Sequence, residues 1–151
     1  MSARPITPER RATAIVQKML ANDAFSRWLA VEVLDVRVGG VTLRMKVRQE
    51  MTNGFGVCHG GVTFAFADSA LAFASNTGGK VTVSIENSVT YPAPVQLGDV
   101  LEADAEREAT SRRLAYYRVR VTRADGSVVA LFRGTVYHTD RDHEAEPDGS
   151  E

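Results

Sequence analysis

Apolar residues fall at helical spacing near the start of the chain and at alternate positions soon afterwards, and this change of period sets out the elements. Thr7 or Pro8 opens a helical pattern with Ala14, Ile15, Met19, Leu20 and Phe25 on one face and Arg10, Arg11, Gln17 and Lys18 on the other, which predicts a surface helix that covers other structure. From Val31 the period is two. Val41, Leu43, Met45 and Val47 alternate with Thr42, Arg44, Lys46 and Arg48 beside the Gly39-Gly40 turn, the pattern of a half-buried antiparallel hairpin. A loop dense in glycine and polar residues, 50–60, then leads into residues 61–75, where alanine and phenylalanine leave almost no polar face. A helix apolar nearly all round is expected to be buried on all sides. After Gly78-Gly79, strand-like runs follow at about 81–91, 99–108, 113–123 and 127–138, with Ala124-Asp125-Gly126-Ser127 as a hairpin turn and Pro92, Pro94 and Gly98 marking a break.

The order is helix, two strands, one buried helix, four strands. The arrangement with fewest unexplained features wraps a curved antiparallel sheet around the central helix, an α+β fold. A chain of 151 residues supports one domain, placed at 1–138, and the acidic tail 139–151 is short of apolar residues and expected to be disordered.

Composition removes several function classes. Eighteen Lys and Arg against nineteen Asp and Glu give a net charge of −1, so nothing global attracts nucleic acid or an anionic membrane. No apolar run has the length of a signal peptide core or a membrane span, and the expected location is the cytoplasm. One cysteine, Cys58, excludes an intrachain disulfide, and with His59, His138 and His143 it makes no recognisable zinc spacing. No metal and no cofactor is expected.

Candidate chemistry centres on Asp68, which stands in the middle of the most apolar helix, where an unpartnered ionised carboxylate is strongly penalised. Two readings are open: a satisfied buried Asp bonded to Ser69, Ser75 or a backbone amide, or a carboxylate facing a cleft as general base or nucleophile. Upstream, Cys58-His59-Gly60-Gly61 sits where this helix begins, and the free N–H groups of a helix start make a candidate oxyanion hole; the alternative is a tight entry turn with no ligand. Gly60 and Asp68 are eight residues apart, about 12 Å along a helix, so they cannot both reach one carbonyl. Two antiparallel copies of the helix would join them across a two-fold axis, so a homodimer follows if both groups are catalytic. A Cys58/His59 nucleophile is disfavoured because adjacent side chains point apart. Arg112 and Arg113 at a turn are either a phosphate site or a solvated edge, and Phe55, Phe64, Phe66 and Phe73 are either acyl-pocket wall or core.

The run Asn53-Gly54-Phe55-Gly56-Val57-Cys58-His59-Gly60-Gly61, followed by Asp68, resembles the signature of the PaaI-type hotdog thioesterases of phenylacetate degradation. Phe64 to Ala70, Val89-Thr90-Tyr91 with Pro94 and Gly98-Asp99, and Val129 to Gly134 extend the resemblance, which covers roughly residues 48–138. It implies a hotdog fold and hydrolysis of an acyl-coenzyme A, (hydroxy)phenylacetyl-coenzyme A or a related aromatic or medium-chain substrate, with coenzyme A as part of the substrate. It implies that Asp68 is general base or nucleophile, that the Gly60 and Gly61 amides polarise the thioester carbonyl, and that Asn53 orients water or carbonyl. His59 positions the loop or is simply structural, and Ser84 matches a strand hydroxyl near the acyl group. Sites at a dimer interface, and dimers paired into a homotetramer, complete the expectation. The competing readings are a hotdog enoyl-thioester hydratase and a non-catalytic acyl-coenzyme A binding module.

Overall fold

The computed structural model describes residues 5–144. Helices α1 (Pro8–Asn22) and α2 (Ala24–Trp28) precede strands β1 (Glu32–Arg37) and β2 (Gly40–Lys46); a 3-10 turn, Gln49–Met51, leads to helix α3 (Gly60–Asn76). Strands β3 (Lys80–Thr90), β4 (Val100–Thr110), β5 (Leu114–Arg123) and β6 (Val128–Asp142) follow. All six strands form one antiparallel sheet in the order β1-β2-β4-β5-β6-β3. The sheet curves around α3, which touches β2, β3, β4, β5 and β6, so the hotdog arrangement expected from the sequence is the one observed.

Alternation decides which side of each strand meets the helix. On β4 the inward positions are Leu101, Ala103 and Ala105, and on β5 they are Ala115, Tyr117, Val119 and Val121. The small β4 residues let the sheet approach the bulky Phe66, Leu71 and Phe73 of α3, all fully buried. Phe66 and Phe73 are therefore core, whereas Phe64 is only partly buried and lies edge-on to Phe132 at 5.3 Å.

Three expectations need correction. The first helix ends at Asn22 rather than running to Phe25, because Asp23 turns to an extended conformation and caps α2 through Ser26 N at 2.9 Å. Its buried face is Ala12, Ile15 and Val16, and Phe25 is exposed, stacked on Trp28. Burial of α3 on all sides is not met within one chain: Ala65, Asp68 and Ala72 are half-buried and Gly61 is exposed, a stripe at helical spacing. Finally, β6 does not stop at His138. Thr139 to Asp142 continue the strand against β3, with Thr139 Oγ1 donating to Val81 O at 2.6 Å and Lys80 paired to Asp142 at 3.1 Å. The remainder of the predicted tail, 145–151, lies outside the described residues.

Two irregularities of the β3–β6 pair position the site. A register shift between Ser84 and Glu86 inserts one extra residue, so Ser84 and Asn87, three apart, reach the same side of the strand. Opposite Asn87 stands Gly134. A Cβ there would fall inside the envelope of Leu71 Cδ2 and 2.9 Å from Asn87 Oδ1. Replacing Gly134 by alanine is expected to destabilise the fold by about 1–3 kcal/mol, read as a lowered chemical denaturation midpoint at constant slope; an unchanged midpoint would show that Leu71 has room to move.

Candidate functional site

The site begins with the cap of α3. His59 is extended, and its Nδ1 accepts from Gly61 N–H at 2.9 Å, which leaves the ring hydrogen on Nε2. Val62 N–H donates to His59 O. Among the described residues this leaves Gly60 N–H, at the positive end of α3, without a partner. Of the two amides expected to polarise a carbonyl, the Gly61 N–H is thus engaged by His59 and the Gly60 N–H is not. Tyr91 closes the same corner. Its hydroxyl donates to Gly60 O at 2.7 Å, and a Cβ on Gly60 would meet the ring at 3.4 Å, so glycine is what lets the phenol lie against the helix start.

The preceding loop is fastened to itself. Asn53 Oδ1 accepts from Phe55 N–H at 2.9 Å and more weakly from Val57 N–H at 3.4 Å, while Asn53 N–H donates to Val57 O and Gly56 N–H to Asn53 O. Its side-chain oxygen holds the turn, and its amide nitrogen has no partner among the described residues. Phe55 sits at the tip and is 93% exposed; within one chain it does not approach Asp68. Cys58 is buried, its Sγ near Thr63 Oγ1, and burial pushes its thiol up, the opposite of an activated thiolate.

Asp68 is half-buried on the incompletely covered stripe of α3. Oδ1 accepts from Asn87 Nδ2 at 3.1 Å, and the same nitrogen donates to Ser84 Oγ at 3.0 Å. Oδ2 has no partner among the described residues and is not sealed from solvent. The satisfied-Asp reading does not hold in the form expected: Ser69 bonds Ser26 at 2.7 Å and Ser75 donates to Ala72 O. Burial raises the Asp68 carboxyl above its ordinary value, the Asn87 hydrogen bond opposes that rise, and the Asp23 charge adds to it. A carboxylate with one anchored oxygen, one open oxygen and enhanced basicity is suited to taking a proton from water or attacking a carbonyl carbon.

Arg112 and Arg113 lie elsewhere, at the β4–β5 turn, and with Lys80, Arg107 and His138 they line a cavity of about 320 Å³ at the C-terminal end of α3. Arg113 is bonded to Asp140 at 2.7 Å and lies over the Tyr137 ring. Ser75, also in its wall, is seven residues from Asp68, about 10 Å along the helix. The fold therefore brings together Asp68 with Ser84, and His59 with Gly60 and Gly61, but within one chain keeps these two groups at separate points on α3. Asn87, Tyr91 and Asp23 are not among the site residues the sequence points to. Alternation places Ser84 and Asn87 on opposite faces, and only the bulge between them, which the sequence does not mark, brings them together. Among the described residues no group of His, Cys, Asp and Glu is placed to hold a metal.

Residues 55–130 match the thioesterase superfamily model. Acyl-coenzyme A thioesterase PaaI of Escherichia coli is 32% identical over 116 residues, covering 77% of this chain and 83% of that protein. Its solved structure superposes with a TM-score of 0.88 over 90% of this chain and 99% of that one, at 28% identity. Human acyl-coenzyme A thioesterase 13 is 30% identical over 80% of this chain and 89% of its own. A hypothetical thioesterase protein from Streptococcus pneumoniae, solved with coenzyme A, is 26% identical with a TM-score of 0.79, covering 84% and 99% of the two chains.

The raised Asp68 carboxyl makes a stability prediction whose sign follows from linkage. A carboxyl whose folded value exceeds its unfolded value favours folding in its protonated form; that contribution is complete below the unfolded value and is lost as pH rises through the folded one. Asp68→Asn, a neutral isostere, is expected to melt at a higher temperature than wild type near neutral pH. The gain should fade as pH falls through the raised folded value and be gone below the ordinary carboxylate range. A variant that melts lower at neutral pH would show that the ionised carboxylate is a net stabiliser.

Proposed function

The chain belongs to the thioesterase superfamily, and from that premise we propose that it hydrolyses acyl-coenzyme A thioesters in the cytoplasm, with an arylacetyl group such as (hydroxy)phenylacetyl, or a related aromatic or medium-chain acyl group, as substrate. The observation that carries this reading is Asp68, whose Oδ1 is anchored and whose Oδ2 is open. Water adds to the thioester carbonyl carbon as Asp68 takes one of its protons; the carbon–sulfur bond then breaks, Asp68 returns that proton to the departing sulfur, and free acid and the coenzyme A thiol leave. Direct attack by Oδ2, followed by hydrolysis of the mixed anhydride, gives the same products.

The carbonyl oxygen gains charge in either route, and Gly60 N–H is the donor proposed to meet it. Because that amide and Asp68 are separated along one helix, each site takes Asp68 from one subunit and Gly60 from its partner. Two features support such a homodimer. Strand β3 is a sheet edge eleven residues long that exposes Val83 and Ile85, and an open apolar edge invites another strand. The small residues Gly61, Ala65 and Ala72 flank Asp68 on the face that one chain leaves partly uncovered. Dimers pairing into a tetramer remain part of the proposal. Asn53 and His59 act here by fixing the loop and the helix start, Phe55 reaches across to the neighbouring acyl group, Ser84 lies beside that group, and Arg112 and Arg113 receive coenzyme A phosphates. A hydratase would need a histidine with an acidic partner, whereas His59 is engaged by Gly61 N–H.

Asp68→Asn is expected to lower kcat for thiol release about a hundredfold or more while binding acyl-coenzyme A as wild type does in calorimetry. Undiminished turnover would remove Asp68 from the mechanism, and tight binding with no thiol release by wild type would favour the binding module. The Arg112→Ala, Arg113→Ala double variant should raise KM about tenfold, the worth of one or two charge-assisted hydrogen bonds, with kcat little changed. An unaltered KM would place the phosphates elsewhere.

A further inference from the structure

Asn87 is built into the fold in an unusual way. Its Nδ2 donates both hydrogens, one to Asp68 Oδ1 and one to Ser84 Oγ, while its Oδ1 is buried with no hydrogen-bond partner among the described residues. An amide kept for structure alone would satisfy both ends, since a buried orphan acceptor costs free energy. The reverse orientation is worse. It would set the amide oxygen against the carboxylate and turn the NH2 toward Gly134 and the apolar Leu71 side chain. The orphan oxygen occupies the space that the missing Gly134 side chain leaves, and the β3 bulge turns the amide inward at that point.

From this arrangement we infer that Asn87 is a positioning residue for hydrolysis, holding the Asp68 carboxylate in its ionised, oriented form and tying Ser84 to the same site. The inference rests on the assignment of Asp68 above. With Oδ1 fastened by Asn87, the carboxyl plane is fixed and Oδ2 is the oxygen presented to the reactants. Ser84 Oγ accepts from Asn87, so its single hydrogen is turned away from the amide, and the residue is exposed on the outer edge strand. The charges and dipoles that act on Asp68 are the Asn87 amide from β3 and Asp23 at the α1–α2 junction; no cation among the described residues offsets its burial. Asn87 is thus the one group here that favours the anion.

The test reads the carboxyl itself. Asp68 is followed by carboxyl carbon NMR across a pH series, its resonance assigned by its loss in Asp68→Asn, in wild type, Asn87→Ala and Asn87→Asp. The titration midpoint is expected to rise in Asn87→Ala, where a donor to the anion is lost, and further in Asn87→Asp, where a second carboxylate is added. The acid limb of the kcat/KM profile for thiol release should move with it, and turnover at the acid end should fall about tenfold in Asn87→Ala, the equivalent of one hydrogen bond to a charged group. A residue that merely fills space would not order the three midpoints in this way. Midpoints unmoved in both variants overturn the inference and leave the assignment of Asp68 intact. Thiol release undiminished by Asp68→Asn overturns that assignment, and the role of Asn87 in turnover with it.

Discussion

An ionised carboxylate on a helix made almost entirely of alanine and phenylalanine is held against its own desolvation, and the surroundings of α3 are arranged around that cost. Burial and the nearby Asp23 both oppose the charge of Asp68, and among the described residues the Asn87 amide is what supports it. The cost is bounded because the helix is not sealed: Asp68 lies on the strip that the sheet leaves half-covered, between Ala65 and Ala72. A fully enclosed carboxyl would be protonated and inert, and a fully exposed one would be an ordinary weak base. The intermediate position leaves one oxygen of Asp68 open and the carboxyl more basic than usual.

The start of α3 meets a second constraint, that of its own unpaired amides. His59 takes one N–H through its ring and another through its carbonyl, and Tyr91 takes the carbonyl of Gly60, so the helix start is rigid before any ligand arrives. Among the described residues the Gly60 N–H is left without a partner at this start. Rigid, prealigned donors need no reorganisation as charge develops, which is where oxyanion stabilisation gains its strength. The same fold keeps this donor and Asp68 about 12 Å apart along one helix. Completing a site from both groups therefore calls for a second chain, and the long open edge of β3 lies on the side where Asp68, Ser84 and Asn87 meet.

Much of this was legible in the amino-acid order. Strict alternation at Val41 to Val47 and through Leu101 to Ala105, and the apolar run around Asp68, specify a sheet folded on a helix, and the spacing of Asn53, His59, Gly60 and Asp68 marks where chemistry would sit. What was hidden depends on single backbone departures. Asp23 is a polar residue in a helical pattern until its backbone turns extended and divides the helix. Ser84 and Asn87 fall on opposite faces by period, and the bulge that reunites them has no residue signature. Gly61 and Gly60 read as equal donors, and only the direction of the His59 ring separates them. The charged run after His138 looks like solvated tail, yet it continues β6 beside β3, where Asp142 pairs with Lys80 and Thr139 Oγ1 donates to Val81 O.

The claim on which the rest turns is that hydrolysis takes place between Asp68 of one subunit and the Gly60 amide of the other. A crystal structure of Asp68→Asn holding an intact acyl-coenzyme A tests it directly. The expected result is a dimer with the thioester carbonyl oxygen within hydrogen-bond distance of one subunit's Gly60 N–H and the carbonyl carbon facing residue 68 of its partner. A thioester bound with its carbonyl remote from both groups, or seated wholly within one chain, would contradict it.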